Sequence, residues 1–168
     1  MKQNGFTLIE LLIVLLLGGI IISMAIPVTQ DFLLHRKVAT ETEKIVTILQ
    51  FARNQATVMN QTLTLAPYNN SANWSNGFNL FIDSNNNHQY DTSEKSLYEF
   101  PLKNSDVIIH WSGLYEKYLL FSPDNMNNGL AGTFNICPLN THYVKTKSII
   151  LNRPGRIRVD ESEEICNT

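Results

Sequence analysis

The chain is 168 residues long, 43% apolar and 10% aromatic, with 13 Lys and Arg against 15 Asp and Glu, a formal net charge of −2 and two cysteines. That length suits one core of ordinary size. The near-neutral charge excludes a surface coated in basic residues for nucleic acid, the apolar content excludes wholesale disorder, and two cysteines exclude a disulfide-dense scaffold. The apolar residues are unevenly placed: from Phe6 to Pro27, 16 of 22 are apolar, and no charge occurs between Leu11 and Gln30. At 1.5 Å per residue, a helix of that uncharged length spans about the 30 Å hydrocarbon core of a bilayer. A cleaved secretory signal is the competing reading, with Lys2 as a basic start and Ser23-Met24-Ala25 as a cleavage site.

Two features oppose the signal peptide. Glu10 sits inside the apolar run, where a charge is expensive in lipid and marks a function that needs a partner. Beyond Pro27, the positions Val38, Ile45, Leu49, Ala52, Ala56 and Met59 keep helical spacing, so one helix continues through the supposed cleavage site. Pro27 removes a backbone donor and predicts a kink, with Gly18-Gly19 as a second weak point.

Gly5-Phe6-Thr7-Leu8-Ile9-Glu10, followed by the apolar run, resembles the processing motif of type IV pilins and of the related pseudopilins of type II secretion. The resemblance implies a leader at residues 1–5, cleaved after Gly5 by a prepilin peptidase, with N-methylation of Phe6. It also implies that Glu10 pairs with the amino terminus of a neighbouring subunit, which supplies the partner an intramembrane carboxylate needs.

Residues 6–61 are accordingly expected as one helix, membrane-spanning to about residue 27 and amphipathic beyond it, where Arg36, Lys37, Glu41, Glu43, Lys44 and Arg53 occupy polar positions. Residues 62–168 are expected as an antiparallel β head. Strands are predicted at 62–65, 78–82, 98–100, 107–111, 118–121, 133–137, 143–151 and 156–159, separated by Asn, Ser, Asp, Pro and Gly clusters with no helical crossover between them. The fold class is α+β, one long helix laid on antiparallel sheet. The stretch Leu49-Gln50-Phe51-Ala52-Arg53-Asn54-Gln55-Ala56, with Trp74-Ser75-Asn76-Gly77-Phe78 after it, resembles the GspH/FimT branch of pilin-like proteins, which carries an L-x-x-A-R-x-x-A helix end and a W-x-x-G-F/W strand start.

Between two predicted strands, Asp83, Asn85, Asn87, Asp91 and Glu94 fall at positions 1, 3, 5, 9 and 12 of a calcium-type loop. Position 6, where the sharp turn wants glycine, is His88, so the segment reads first as an Asn-rich hairpin loop and second as a calcium site. Cys137 and Cys166 have no second cysteine pair to complete a tetrahedral metal set, and His142 is the one nearby imidazole. In a chain delivered across a bacterial inner membrane, as the resemblance implies, the oxidising compartment makes a Cys137–Cys166 disulfide the leading assignment. The four histidines are scattered and no G-x-S-x-G, H-E-x-x-H or phosphate loop occurs, so neither an enzyme nor a cofactor is expected.

From Thr141 to Arg158 the chain has five basic residues, Lys145, Lys147, Arg153, Arg156 and Arg158, and no acid. In a strand Arg156 and Arg158 share a face, and Asn152-Arg153-Pro154-Gly155 reads as the turn that presents Arg153 beside them. An ordinary solvated strand, its arginines paired with the acids that follow, fits the same residues. Gly155-Arg156-Ile157-Arg158 is similar to a G-R-x-R element of FimT-type minor pilins, associated there with DNA binding in natural transformation. The resemblance implies a minor pilin that binds double-stranded DNA through Arg153, Arg156 and Arg158, with Lys145 and Lys147 extending the patch. Its implied partners are other pilin subunits and the prepilin peptidase. It is expected in the bacterial inner membrane as a single-pass protein with a periplasmic head, and in the pilus or at the cell surface after assembly. The alternative is a GspH-like pseudopilin of type II secretion, with a structural role at the pseudopilus tip and no DNA binding.

Overall fold

A computed structural model describes residues 7–101, 106–124, 131–139 and 145–162, with the backbone alone at 24–30, 70 and 162. Helix α1, Leu8–Met59, begins at Thr7, whose hydroxyl accepts from the Glu10 amide at 3.3 Å. It ends at Asn60, whose left-handed backbone (φ 51°) turns the chain while its N–H reaches the Ala56 and Thr57 carbonyls. The helix runs unbroken through Gly18-Gly19 and Pro27.

Its two halves differ in what covers them. Large apolar side chains between Leu8 and Ile22 are exposed. In the second half Val38, Ile45, Ile48, Leu49, Ala52 and Ala56 are buried, and Thr42 fills the step between Val38 and Ile45, its hydroxyl donating to the Val38 carbonyl at 2.7 Å. Among the described residues no helix is long and apolar enough to cross a membrane.

The head has eight strands: β1 Leu63–Pro67, β2 Gly77–Ile82, β3 Lys95–Pro101, β4 Val107–Gly113, β5 Leu119–Phe121, β6 Gly132–Pro138, β7 Thr146–Leu151 and β8 Ile157–Ser162. Each run predicted to be extended overlaps one of them, although most strands reach beyond the predicted bounds. They form two antiparallel sheets, ordered β3-β2-β1-β5 and β4-β6-β7-β8, where the sequence reading anticipated antiparallel sheet without dividing it. The division is made by β5, which leaves β4 and pairs with β1 through Leu63↔Phe121 and Leu65↔Leu119. Non-local pairing of that kind leaves no mark on local alternation.

Helix α1 packs on β6 and β7 of one sheet and on β1 and β5 of the other. Trp74, in a short 3-10 turn before β2, is fully buried where the sheets meet, its ring centroid 5.6 Å from Phe78 on β2 and 5.1 Å from Phe134 on β6. Its indole N–H donates to the Glu116 carbonyl at 2.9 Å. The next residue binds the same turn to β4: the Ser75 hydroxyl accepts from the Ile109 amide at 2.9 Å and donates to the Ile109 carbonyl at 3.1 Å. The W-x-x-G-F segment therefore closes the core as well as starting a strand.

Candidate nucleic-acid interface

The arginine-bearing turn connects β7 to β8. Leu151 pairs with Ile157, and Arg153, Pro154 and Gly155 form a three-residue connection between Asn152 and Arg156. Gly155 donates to the Asn152 carbonyl at 2.8 Å and takes φ +76°, the positive value that such a hairpin needs at its last position and that glycine adopts without strain. Asn152 braces the other limb, its side-chain oxygen accepting from the Arg156 amide at 2.7 Å. From beneath, Arg53 of α1 extends its half-buried guanidinium and donates through Nη1 to the Gly155 carbonyl at 3.0 Å. The helix end with its L-x-x-A-R-x-x-A pattern and the G-R-x-R turn, 102 positions apart, are thus one unit.

Arg153, Arg156 and Arg158 are all exposed on this turn and its following strand. Among the described residues neither Arg153 nor Arg156 makes an ion pair. Arg158 is engaged: its Nε donates to Asp160 Oδ2 at 2.9 Å, its Nη2 meets the same oxygen, and this hydrogen bond and charge hold the guanidinium above its already high usual pKa.

The two lysines lie elsewhere. Lys147 is at the opposite end of β7, paired across the strands with Glu161, which its Nζ approaches to 3.6 Å. Because side chains alternate along a strand, Lys147 shares a face with Ile149 and Leu151, while Arg158, opposite Ile150, is on the other. Lys145 precedes β7 at that same far end and is exposed. The structure therefore brings together three arginines, with Arg53 beneath them, and keeps the lysines about four residues, or ~14 Å, away along the strand. Arg53 entered the sequence reading only as a polar position of the amphipathic helix and as part of its helix-end pattern. Its position beside Ala52, on the flank of the buried stripe, was the available sign that it faces the sheets.

The Asn-rich segment between β2 and β3 is knitted by its own groups. Asp83 accepts from the Asn87 amide at 3.2 Å and the His88 amide at 2.8 Å, and its Oδ2 is 3.0 Å from His88 Nδ1. Asp91 Oδ2 accepts from the side-chain amides of Asn85 and Asn87 at 2.8 and 3.0 Å. Buried Glu94 accepts from the Ser84 and Asp91 amides at 2.9 and 3.1 Å. Asn86 and His88 take φ 57° and 59°, so a left-handed step falls at His88, where a calcium loop has glycine. Among the described residues no three His, Cys, Asp or Glu side chains gather to hold a metal ion.

Cys137, on β6, is buried and disulfide-bonded, and Cys166 lies outside the described residues. Gly5 and Phe6, the cleavage and methylation positions, also lie outside them; Glu10 is exposed in the first turn of α1.

Comparison with known proteins fits this architecture. Residues 1–26 match the prokaryotic N-terminal methylation motif, and residues 41–155 match the family described as type II transport protein GspH. The second match takes in Arg53 and ends at Gly155. Among solved structures, the chain is similar to the type IV minor pilin FimU of Pseudomonas aeruginosa, with a TM-score of 0.58 and 14% identity over 74% of this chain and 89% of that one. It is similar also to the minor pseudopilin EpsH from the type 2 secretion system of Vibrio cholerae, with a TM-score of 0.55 and 10% identity over 74% of this chain and 97% of that one. No curated protein sequence matches it significantly. Proteins of this kind are structural filament subunits and not enzymes, held by an amino-terminal helix before they assemble with other pilin subunits. By the match over most of its head and the last third of its helix, the chain belongs to the GspH family of type II transport proteins, with the N-terminal methylation motif before it.

Proposed function

We propose that this minor pilin binds extracellular double-stranded DNA through the β7–β8 turn, for uptake in natural transformation. The observation that carries the proposal is the pair of exposed arginines, Arg153 and Arg156, without ion-pair partners among the described residues, on a turn held rigid by Asn152 and Arg53. Guanidinium groups on a fixed backbone meet phosphate oxygens with little loss of freedom, and contacts of this type carry no sequence information. Arg158 joins them by exchanging Asp160 for a phosphate. Lys145 and Lys147 contribute charge at a distance.

The rest of the life cycle follows the motif. A prepilin peptidase cleaves after Gly5, Phe6 is N-methylated, and the chain stands as a single-pass inner-membrane protein with a periplasmic head until Glu10 meets the amino terminus of a neighbouring subunit. The proposed Cys137–Cys166 disulfide ties the tail to β6. A purely structural role at a pseudopilus tip is favoured instead by the Arg158–Asp160 and Lys147–Glu161 pairs, which neutralise part of the basic stretch.

A mobility shift with the full chain in detergent micelles and a duplex DNA separates the two. Wild type retards the duplex and the Arg156→Gln/Arg158→Gln variant does not; equal retardation by both overturns the arginine reading.

A further inference from the structure

The row Gly113–Gly132–Leu151–Ile157 crosses the second sheet from β4 to β8, so the loop after β4, residues 114–118, leaves the same end of that sheet as the arginine turn. Three strand spacings separate them, about 14 Å. Two buried indoles fix the loop's backbone: Trp111 donates to the Tyr115 carbonyl at 2.7 Å and Trp74 to that of Glu116 at 2.9 Å.

The side chains of this loop do not enter the core. Tyr115 stacks on Tyr118 with centroids 4.8 Å apart and planes at 15°, and Tyr118 stacks on His88 at 4.2 Å and 30°. His88 is in turn anchored by Asp83. The result is a column of three rings bridging two loops, with Tyr118 covered on both sides and Tyr115, 38% exposed, at the open end beside exposed Leu114 and Lys117.

An aromatic column on a loop with a fixed backbone, at the same sheet end as the proposed phosphate-binding turn, has the parts of a platform for unpaired bases: rings that continue a stack and cations that follow the backbone. We infer that Tyr115 stacks an unpaired nucleobase of DNA whose phosphates lie on the arginine turn, so that the head grips frayed or single-stranded ends in addition to duplex. This inference rests on the DNA-binding reading above.

The test uses the full chain in detergent micelles with two single-stranded probes of about 12 nucleotides, oligothymidylate and an abasic strand of the same phosphate number. Wild type should prefer oligothymidylate by about 5-fold or more, the factor that one stacked base supplies. Tyr115→Leu should erase the preference while leaving abasic binding unchanged, which also shows that the variant is folded, and Tyr115→Trp should keep it. Arg156→Gln/Arg158→Gln should weaken both probes by the same factor. Equal wild-type affinity for the two probes, or a preference that survives Tyr115→Leu, overturns the platform and leaves the arginine reading standing. Failure of wild type to bind either probe overturns the platform, while the duplex mobility shift decides the arginine reading separately. Binding of a neutral oligosaccharide that depends on Tyr115, without any base preference, assigns the rings to another ligand and overturns the inference.

Discussion

Replacing Gly132 by alanine tests the packing at the sheet end that carries both loops. A Cβ at Gly132 would stand 2.4 Å from Trp111 Cη2 and 2.6 Å from the Ser112 carbonyl oxygen. Ser112 is backbone of the neighbouring strand and cannot swing aside. The Trp111 ring, 4% exposed, is confined by Phe134 at 4.5 Å and Trp74 at 6.4 Å, and its N–H holds the Tyr115 carbonyl. Displacing it loses a hydrogen bond of about 1 kcal/mol and part of two aromatic contacts of about 0.5–1.5 kcal/mol each. Overpacking strain adds about 1–3 kcal/mol. A total near 3 kcal/mol lowers Tm by roughly 10 °C for a chain of this size. Thermal unfolding of the detergent-solubilised chain, followed by near-ultraviolet circular dichroism, measures it. In a Trp111→Ala background the same glycine substitution should cost less, because the ring it strikes is gone and only the clash with the Ser112 carbonyl remains. A Gly132→Ala Tm within about 2 °C of wild type would refute the packing argument.

Three further outcomes are expected. Arg53→Met removes the donor to the Gly155 carbonyl, so it should cost about 1.5 kcal/mol in urea unfolding and speed hydrogen exchange at the Arg156 amide; unchanged exchange contradicts the brace. Cys137→Ser should lower stability by about 3 to 4 kcal/mol if the proposed bridge closes the 29-position span to Cys166, and a stability indifferent to reduction contradicts that pairing. Burial, then the neighbouring Tyr115, raises the Tyr118 phenol, and burial, then Glu99, raises Tyr68 against an opposing hydrogen bond to the Phe100 backbone. The neutral phenols therefore stabilise the fold fully below the unfolded value near 10, and the contribution is lost as pH rises through the higher folded-state values. Tm should decline above about pH 10, less steeply in Tyr118→Phe, and an identical alkaline slope in that variant contradicts the assignment.

The elements were legible because their periods are local. The 3.6-residue repeat from Val38 to Ala56 names the face of α1 that is buried, and period-two runs bounded by Asn and Pro clusters mark the strands. Thr42 was invisible as a core residue because its hydroxyl returns to the Val38 carbonyl, a satisfaction no hydropathy pattern records. The grouping of strands into two sheets was not legible, since β5 chooses β1 over its chain neighbour by long-range packing.

The candidate site was half legible for the same reason. Charge counting finds five basic residues in one stretch, yet only register shows that Lys147 faces away from Arg158 and that Asp160 already holds Arg158. The contact between Arg53 and Gly155 spans most of the head and has no local signature. The column of Tyr115, Tyr118 and His88 joins two loops that the sequence presents as unrelated turns.

The most direct test of DNA binding is the salt dependence of duplex affinity for the full chain in detergent micelles. Two to three arginines on phosphate predict a log-log slope of about −2 to −3, with affinity lost in Arg156→Gln/Arg158→Gln. A slope near zero, or a double variant that binds with wild-type affinity and slope, contradicts the account.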